Sequence, residues 1–366
     1  RSWRFRIMSD LRVNNITNSG GGTGPVIAGV STVSSTAFMI MPTGNTEVRG
    51  AGSGRGVFCG GFYGAAPSPG NVDDSMDYVE IATTGNAIDF GDMAYNAAQQ
   101  GSVSSSTRGV TAGGISPSNT TTKMQYVTIS SQGGGNNFGD LSLTRKHPAA
   151  ASNNTRGIIA GGQGTSQSFN IIEHITIATT GDAQGFGDLQ QPRWFAGGGR
   201  ASTTRMVFMG GVTQDIAPWA GGGGQLEVEM IDYVEIATKG NSIDFGNLIN
   251  GLKGYGMGCG NVSSTTRTVS MGGFYNPADR NEIQYITFAT LGNATDFGDL
   301  LATTRGGGST SSQTRGLLSG GRTPTQVNTI QYITIATTGD TIDFGDSTRI
   351  VAFNNAGLSD AHGGLG

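Results

Sequence analysis

Residues 330–345 read Ile-Gln-Tyr-Ile-Thr-Ile-Ala-Thr-Thr-Gly-Asp-Thr-Ile-Asp-Phe-Gly, and the chain repeats this phrase, with small changes, five more times. Each copy places an aromatic side chain, or histidine in one case, twelve residues before a Phe-Gly pair. The pairs are Tyr78/Phe90, Tyr126/Phe138, His174/Phe186, Tyr233/Phe245, Tyr285/Phe297 and Tyr332/Phe344. Six copies in step predict a repeat protein whose units share one structure.

A second landmark runs through the same units. An arginine lies five residues before a Gly-Gly doublet at Arg55, Arg108, Arg156, Arg205, Arg267 and Arg315. Six arginines at one repeat position predict a ring of guanidinium groups that bonds neighbouring turns, with the Asp before Phe-Gly as a further partner. An anion-binding ring is the functional alternative.

Each unit is predicted to contain four strands. In the third copy these are residues 147–153, Arg156 to Ala160, residues 171–178 and a short strand around Phe186, separated by turns rich in Gly, Asn, Asp and Thr. Short strands with such turns are typical of an antiparallel meander. No window keeps a helical spacing free of glycine, so we expect an all-β protein.

Differences in length between the units fall mainly in one loop. The first and fourth copies carry insertions after Gly-Gly, at residues 62–75 and 212–229. Equivalent loops of successive repeats lie on one side of a repeat protein, so both should protrude from the same face.

The order Gly-Gly, variable loop, Tyr, large aromatic, Arg resembles the kelch repeat, over about 85 percent of the chain. The kelch family usually has Trp where this chain has Phe in all six units, which suggests a divergent branch. This resemblance implies a kelch-like β-propeller with one four-stranded blade per repeat. Some kelch-like propellers are copper oxidases that use Tyr, His and Cys, but this sequence has no matching cluster.

Two stretches also resemble structural proteins of tailed phages that infect marine cyanobacteria. They are residues 231–246, Ile-Asp-Tyr-Val-Glu-Ile-Ala-Thr-Lys-Gly-Asn-Ser-Ile-Asp-Phe-Gly, and the opening Asp-Leu-Arg-Val-Asn-Asn-Ile-Thr-Asn at residues 10–18. The resemblance implies a virion component, located on the surface of an extracellular particle.

The repeats divide the chain into an N-terminal β-arm, residues 1–47, and a propeller, residues 48–366. Six blades are expected, closed by one terminus that supplies a strand which the other lacks. A composite seventh blade from residues 349–366 and 35–47 is the alternative. The arm is expected to pack on another chain, with packing beneath its own propeller as the second possibility. Residues 1–7, which precede Met8, are suspected to be a tag or upstream read-through.

Composition limits the partners. Charged residues make up only 13% of the chain and the net charge is −4, without the basic clustering of a nucleic-acid binder. No apolar run approaches the roughly 18 residues of a membrane helix, so no membrane insertion is expected. Cys59 and Cys259 are predicted to be buried free thiols, with a disulfide as the alternative.

No catalytic residue, cofactor or metal site is predicted. The three histidines, His147, His174 and His362, lie at unrelated repeat positions. The Asp-Phe-Gly runs match a kinase motif only by letters, and a role in turns is expected instead. Asp73, Asp74 and Asp77 are read as a solvated acidic turn in preference to a calcium loop.

Aromatic residues in the Gly-Gly loops are the candidate contacts for protein or glycan partners: Phe62, Tyr63, Trp219 and Tyr275. The alternative is that these loops pack upon themselves. The function expected from the sequence is a noncatalytic virion protein (fibre, appendage or decoration), a homo-oligomer attached to other virion proteins by its arm. A module that binds host surface polysaccharide is the second hypothesis.

Overall fold

The computed structural model contains six antiparallel sheets of four strands, arranged as the blades of a β-propeller. It describes residues 54–63, 71–117, 119–165, 167–194, 200–214, 225–249, 260–275, 278–323, 325–352 and 356–365. All of these belong to one compact unit, Arg49–Gly366. The predicted arm and Cys259 lie outside the described residues, and so do residues 1–7.

The first three blades are built from consecutive strands, apart from the inner strand of blade 1, which comes from the C-terminus. Blade 1 contains β1 (Arg55–Tyr63), β2 (Val72–Glu80) and β3 (Ile88–Asp92). Blade 2 contains β4 (Gly101–Ser104), β5 (Arg108–Ala112), β6 (Lys123–Thr128) and β7 (Asn136–Asp140). Blade 3 contains β8 (Ala149–Ser152), β9 (Arg156–Ala160), β10 (Ile171–Thr176) and β11 (Gln184–Asp188).

The other three blades have the same order, with two small extra hairpins. Blade 4 contains β12 (Arg200–Ala201), β13 (Arg205–Met209), the hairpin β14 (Val212–Gln214) and β15 (Gln225–Glu227), β16 (Met230–Glu235) and β17 (Ile243–Asn247). Blade 5 contains β18 (Gly260–Ser263), β19 (Arg267–Tyr275), β20 (Ala278–Thr287) and β21 (Thr295–Asp299). Blade 6 contains β22 (Gly308–Ser311), β23 (Arg315–Ser319), the hairpin β24 (Arg322–Thr323) and β25 (Thr325–Gln326), β26 (Thr329–Thr334) and β27 (Ile342–Asp346).

The C-terminus closes the ring. After β28 (Val351–Ala352), strand β29 (Ala356–Ser359) pairs with β1 from Gly56↔Ser359 to Cys59↔Ala356 and so supplies the inner strand that blade 1 lacks. A 3₁₀ turn, Gly363–Leu365, follows. The prediction of six blades closed by a terminal strand is confirmed, and the seven-blade alternative is wrong because residues 356–359 complete blade 1.

From the axis outward we name the strands of each blade A, B, C and D. Because the strands are antiparallel, the A–B and C–D turns lie on one face, here called the turn face. The B–C loops and the D–A connections lie on the opposite face, here called the loop face. Within the described part of the chain, no helix is long and apolar enough to cross a membrane.

The apolar core is divided among the junctions between blades. Six clusters of buried side chains each combine residues of two neighbouring blades. The cluster between blades 1 and 2, for example, joins Phe90 of β3 with Val127 and Ile129 of blade 2. Burial of this kind is the dominant favourable term in folding, so each blade is stabilised mainly by its neighbours.

The Phe-Gly pair lies at an irregularity of every outer strand. Met76 pairs with Gly91 and Asp77 with Asp89, which leaves Phe90 as the extra residue of a β-bulge. The same shift occurs in all six blades. The ring of Phe90 is 2% exposed and meets Tyr78 edge to face, with ring centroids 6.0 Å apart.

Each outer strand is joined to the next blade by backbone hydrogen bonds. The Gly85 N–H of blade 1 donates to the Phe344 carbonyl of blade 6 at 2.8 Å, and Ala87 N–H donates to the Asp346 carbonyl at 2.8 Å. The second of these bonds has an equivalent at every junction. These bonds cover part of each outer edge, which would otherwise be free to pair with another chain.

Candidate interaction surfaces

The arginine ring binds neighbouring turns, as predicted, but its partners are backbone carbonyls. Arg108 Nη1 donates to the Ile177 and Ala178 carbonyls of blade 3 at 3.1 and 2.9 Å. At the closure, Arg315 Nη1 donates to Ile81 and Ala82 of blade 1 at 3.2 and 2.8 Å. Each of the other four arginines makes at least one such bond.

The same guanidinium groups stack on the repeated tyrosines of their own blades. The distances from the guanidinium carbon to the ring centroid are 4.2–4.7 Å in five blades. The predicted pairing with the Asp before Phe-Gly is wrong. The acidic partners are Glu80 of Arg55, at 3.0 Å, and Glu235 of Arg205, at 2.8 Å, both from strand C of the same blade. These six cations are therefore engaged within the ring.

The insertions after Gly-Gly extend from the loop face. In blade 1, β1 and β2 continue past the doublet to the pair Phe62↔Val72. In blade 4, β14 and β15 form a separate hairpin. Blade 5 also extends, to the pair Tyr275↔Ala278, although its loop has no insertion. In all six doublets both glycines have positive φ, between 61 and 116°, which explains why no other residue type occurs there.

The four candidate contact aromatics differ in their surroundings. Phe62 is 3% exposed and packs with Val72, Ala98 and Ile115, so for this side chain the structure supports packing within the protein. Tyr63 is 47% exposed. Trp219 lies outside the described residues, and for Tyr275 the structure describes the backbone only.

Tyr63 has an exposed apolar neighbour on the strand that pairs with β1. It pairs with Val351 of β28, and the preceding Ile350 is 53% exposed. Two large side chains are therefore presented to solvent on the loop face, where the blade 1 hairpin meets the end of blade 6.

A set of buried polar side chains escaped the sequence analysis. The residue before each repeated Tyr or His is polar and at most 6% exposed: Asp77, Gln125, Glu173, Asp232, Gln284 and Gln331. Gln125 Oε1 accepts the Ala94 N–H of blade 1 at 2.7 Å, and Glu173 Oε1 accepts the Ser142 N–H of blade 2 at 3.0 Å. The other junctions have equivalent contacts, with Ser242 as an intermediate for the shorter Asp232.

Two of these carboxylates also form buried ion pairs across a junction. Arg145 of blade 2 binds Glu173 of blade 3, and Arg193 of blade 3 binds Asp232 of blade 4. Burial lowers the pKa of Arg193 to about 10. Removing one partner of such a pair would leave an uncompensated buried charge, so these contacts hold the blades together.

Among the described residues, the axis is lined mainly by small side chains, many of which carry a hydroxyl group, and by Arg200 and His362. The cavity there holds about 30 Å³ of water-accessible space, enough for one or two waters. Arg200 of β12 donates through Nε to the Asn261 carbonyl and through Nη2 to Ser309 Oγ at 2.7 Å. Burial lowers the pKa of Arg200 to about 10.

The C-terminal segment packs against the turn-face end of this axis. His362 Nε2–H donates to the Ser104 carbonyl at 2.9 Å, and its Nδ1 accepts the Gly364 N–H at 3.1 Å, which fixes a neutral imidazole. Gln313 of blade 6 donates to the His362 carbonyl at 2.8 Å. A Cβ on Gly363 would lie 2.2 Å from the Ser264 carbonyl of blade 5, so the segment lies very close to that blade.

The remaining candidate residues take part in local structure. Cys59 is a buried free thiol, and burial raises its pKa. Asp73 forms an ion pair with Arg349 and accepts the Ser75 hydroxyl at 3.0 Å. Among the described residues, no three His, Cys, Asp or Glu side chains are grouped so that they could hold a metal ion.

The fold is consistent with the kelch-like propeller that the repeat implies. No family model matches this chain, and no curated protein matches it.

Proposed function

We propose that this chain is a noncatalytic virion structural protein, in which a rigid propeller presents loops and residues 1–47 attach it to other virion subunits. The observation that carries the proposal is the projection of extended hairpins from one face of a closed propeller. The chain enters β1 at Gly54 on the turn face, whereas the extended hairpins of blades 1, 4 and 5 project from the loop face. In this proposal the hairpins of the loop face make the outward contacts.

The contrast between the two faces supports this role. Seven residues separate strands C and D in every blade, and the arginines fasten these turns to their neighbours. The B–C loops range from two residues in blade 5, between Tyr275 and Ala278, to 20 in blade 4, between Met209 and Met230. A constant frame with variable loops is the arrangement used by many binding scaffolds. The resemblance of residues 231–246 to phage structural proteins is the ground for proposing a virion as the setting.

The test is the composition of purified particles of the phage that encodes this chain. Quantitative mass spectrometry should find its peptides in a fixed ratio to the major capsid protein. A variant lacking residues 1–47 should keep its unfolding temperature and fail to join particles. The same segment fused to an unrelated carrier should be incorporated. Synthesis of the chain during infection without its presence in particles would contradict the proposal.

Glycan recognition by the loop face is the second candidate, favoured by the exposure of Tyr63 beside Ile350. A glycan array probed with the full chain should give binding that is lost in Tyr63→Ala or Trp219→Ala. Leu143→Ala is the matched control, because Leu143 is a 39% exposed apolar residue in the D–A connection of blade 2. Equal loss in the control, or no binding at all, would eliminate this candidate.

A further inference from the structure

The turn face has a groove between blades 4 and 5, which we name the blade 4–5 groove. It is an open depression of about 450 Å³, lined by the A–B turns of both blades and by the ends of their C strands. This volume lies within the range of small-ligand sites, roughly 300–1,000 Å³. The groove lies away from the loop-face aromatics, which are at the other ends of the strands.

The groove lies where a bridge between neighbouring turns is missing. At the junction of blades 2 and 3, Asn154 Oδ1 accepts the Ser106 N–H at 3.0 Å. At the junction of blades 5 and 6, Gln313 Oε1 accepts the Thr265 N–H at 3.0 Å. The corresponding residue of blade 5 is Thr265, whose side chain is too short to reach Thr203 of blade 4. Within the described chain, no side chain bridges these two turns.

The lining offers hydroxyl groups that the fold does not use. Thr203, Thr204 and Thr265 are exposed and Thr287 is half-buried, and their hydroxyls make no hydrogen bond to other described residues. A threonine hydroxyl both donates and accepts, and its methyl group gives an apolar contact. Such a surface matches a ligand with alternating hydroxyl groups and C–H faces.

The charge of the groove selects among such ligands. Its cation, Arg205, is neutralised by Glu235, with Nε and Oε1 2.8 Å apart, and also donates to the Phe288 carbonyl at 2.8 Å. Since the pair has no net charge, the groove has no excess positive charge to attract a phosphate, sulfate or carboxylate. The guanidinium and carboxylate edges remain available as directional polar groups at the end of the hydroxyl surface.

From these observations we infer that the blade 4–5 groove binds a neutral saccharide of one or two rings. The ring hydroxyls bond to Thr203, Thr204, Thr265 and Thr287, and the C–H faces contact the threonine methyl groups. A shallow polar site without an aromatic platform gives a dissociation constant on the order of 1 mM. The inference does not rest on the proposed virion role, and each can fail without the other.

The test uses saturation-transfer NMR of the full chain with neutral hexoses, N-acetylhexosamines and their disaccharides, beside glucuronic and sialic acids. A neutral saccharide should receive saturation, and the uronic and sialic acids should bind no better. Thr203→Trp, which fills the groove, should weaken binding at least tenfold. Ser106→Trp, at the same turn position of blade 2, should leave binding unchanged.

A second variant copies a bridge that the chain already contains. Thr265→Asn places the side chain of Asn154 at the equivalent position, where it can accept the Thr203 N–H and close the groove. Saccharide binding should weaken at least tenfold without loss of thermal stability. Tyr63→Ala should have no effect, which separates this site from the loop face. Absence of binding, preference for acidic saccharides, or wild-type affinity in both groove variants would overturn the inference.

Discussion

Asp299 and Asp340 bring two carboxylates together at the outer junction of blades 5 and 6. Asp340 Oδ1 accepts the Asp299 N–H at 2.9 Å. Slight burial raises the pKa of Asp299, and the charges of Asp340, Glu282 and Asp296 raise it further. Three other junctions use an uncharged residue for the same hydrogen bond, Asn86, Asn241 or Asn293. At these three junctions an uncharged asparagine therefore accepts the same hydrogen bond that Asp340 accepts.

Asp340→Asn should therefore stabilise the protein at pH 7, by less than about 1 kcal/mol for an exposed pair. A carboxyl group whose pKa is raised by folding binds its proton more tightly in the folded protein. Its ionised form therefore lowers the free energy of unfolding, and this loss disappears as pH falls and the group becomes protonated. The gain should shrink as pH falls through the raised pKa of Asp299 and be absent below the ordinary Asp pKa of about 3.9. Urea unfolding at pH 7 and at low pH measures it.

The reciprocal change tests the same cause. Asn86→Asp places a carboxylate beside Asp346 at the junction of blades 6 and 1 and should lower stability at pH 7. Equal effects of Asp340→Asn at both pH values would show that charge repulsion is not responsible.

At the scale of the element, the outer strand and the facing turn form one unit. Five of the six Phe-Gly glycines have φ between 127 and 153°. A Cβ on Gly345 would lie 2.4 Å from the Gly85 carbonyl of blade 1, whereas a Cβ on Gly85 would have no atom within 4 Å. The glycines of the repeated phrase are therefore required by the close contact between neighbouring blades.

Gly345→Ala should cost more than Gly85→Ala, although φ is positive at both, at 146 and 156°. Strain alone accounts for about 1–3 kcal/mol at either position, and only Gly345→Ala also separates the blades. Thermal unfolding of the two variants gives the comparison. Equal losses would mean that the close approach to Gly85 does not contribute to stability.

The sequence predicted those parts of the fold in which only one residue type can occupy a repeat position. Gly-Gly, Phe-Gly and the arginines recur unchanged because positive φ, a bulged aromatic anchor and a bidentate cation cannot be replaced easily. The buried polar position before the repeated Tyr was missed because Asp, Glu and Gln alternate there. Its signal was a polar residue in all six copies of an otherwise apolar strand. The surroundings of Phe62 depend on Ala98 and Ile115, which no local pattern reveals.

At the scale of the whole molecule, closure depends on residues about three hundred positions apart. Beyond the pairing of β29 with β1, Asp360 Oδ1 accepts the Arg55 N–H at 2.9 Å. The sequence did not decide between six and seven blades, because no local sequence pattern specifies which strand the C-terminal segment pairs with. The segment after β29 then places a buried imidazole at the axis.

Acid should destabilise the closed ring through His362. Burial lowers its pKa to about 4, the Ser104 carbonyl opposes this, and Arg200 adds to it. A histidine with a depressed pKa stays neutral when folded while the unfolded chain binds a proton. Stability should therefore fall as pH decreases from about 6.5 to about 4, by roughly 3 kcal/mol at most. Unfolding free energy against pH measures the slope.

His147 contributes to the same slope, since burial and Lys146 hold its pKa well below the usual value. His362→Gln should therefore flatten the pH dependence only in part. At pH 8 both imidazoles are neutral in the folded and the unfolded chain. The difference in unfolding free energy between the variant and the parent at that pH therefore reports packing alone. An unchanged slope in His362→Gln would exclude this histidine as a source of acid sensitivity.

The closed ring is tested most directly by hydrogen–deuterium exchange of β1 in the full chain and in a chain ending at Asn355. We predict that the amides among residues 56–59 that face β29 are protected in the full chain and exchange rapidly in the shortened one, while β9 of blade 3 retains more protection. Equal protection of β1 in both chains would contradict closure by the C-terminal strand, and with it the rigid frame on which the proposed function depends.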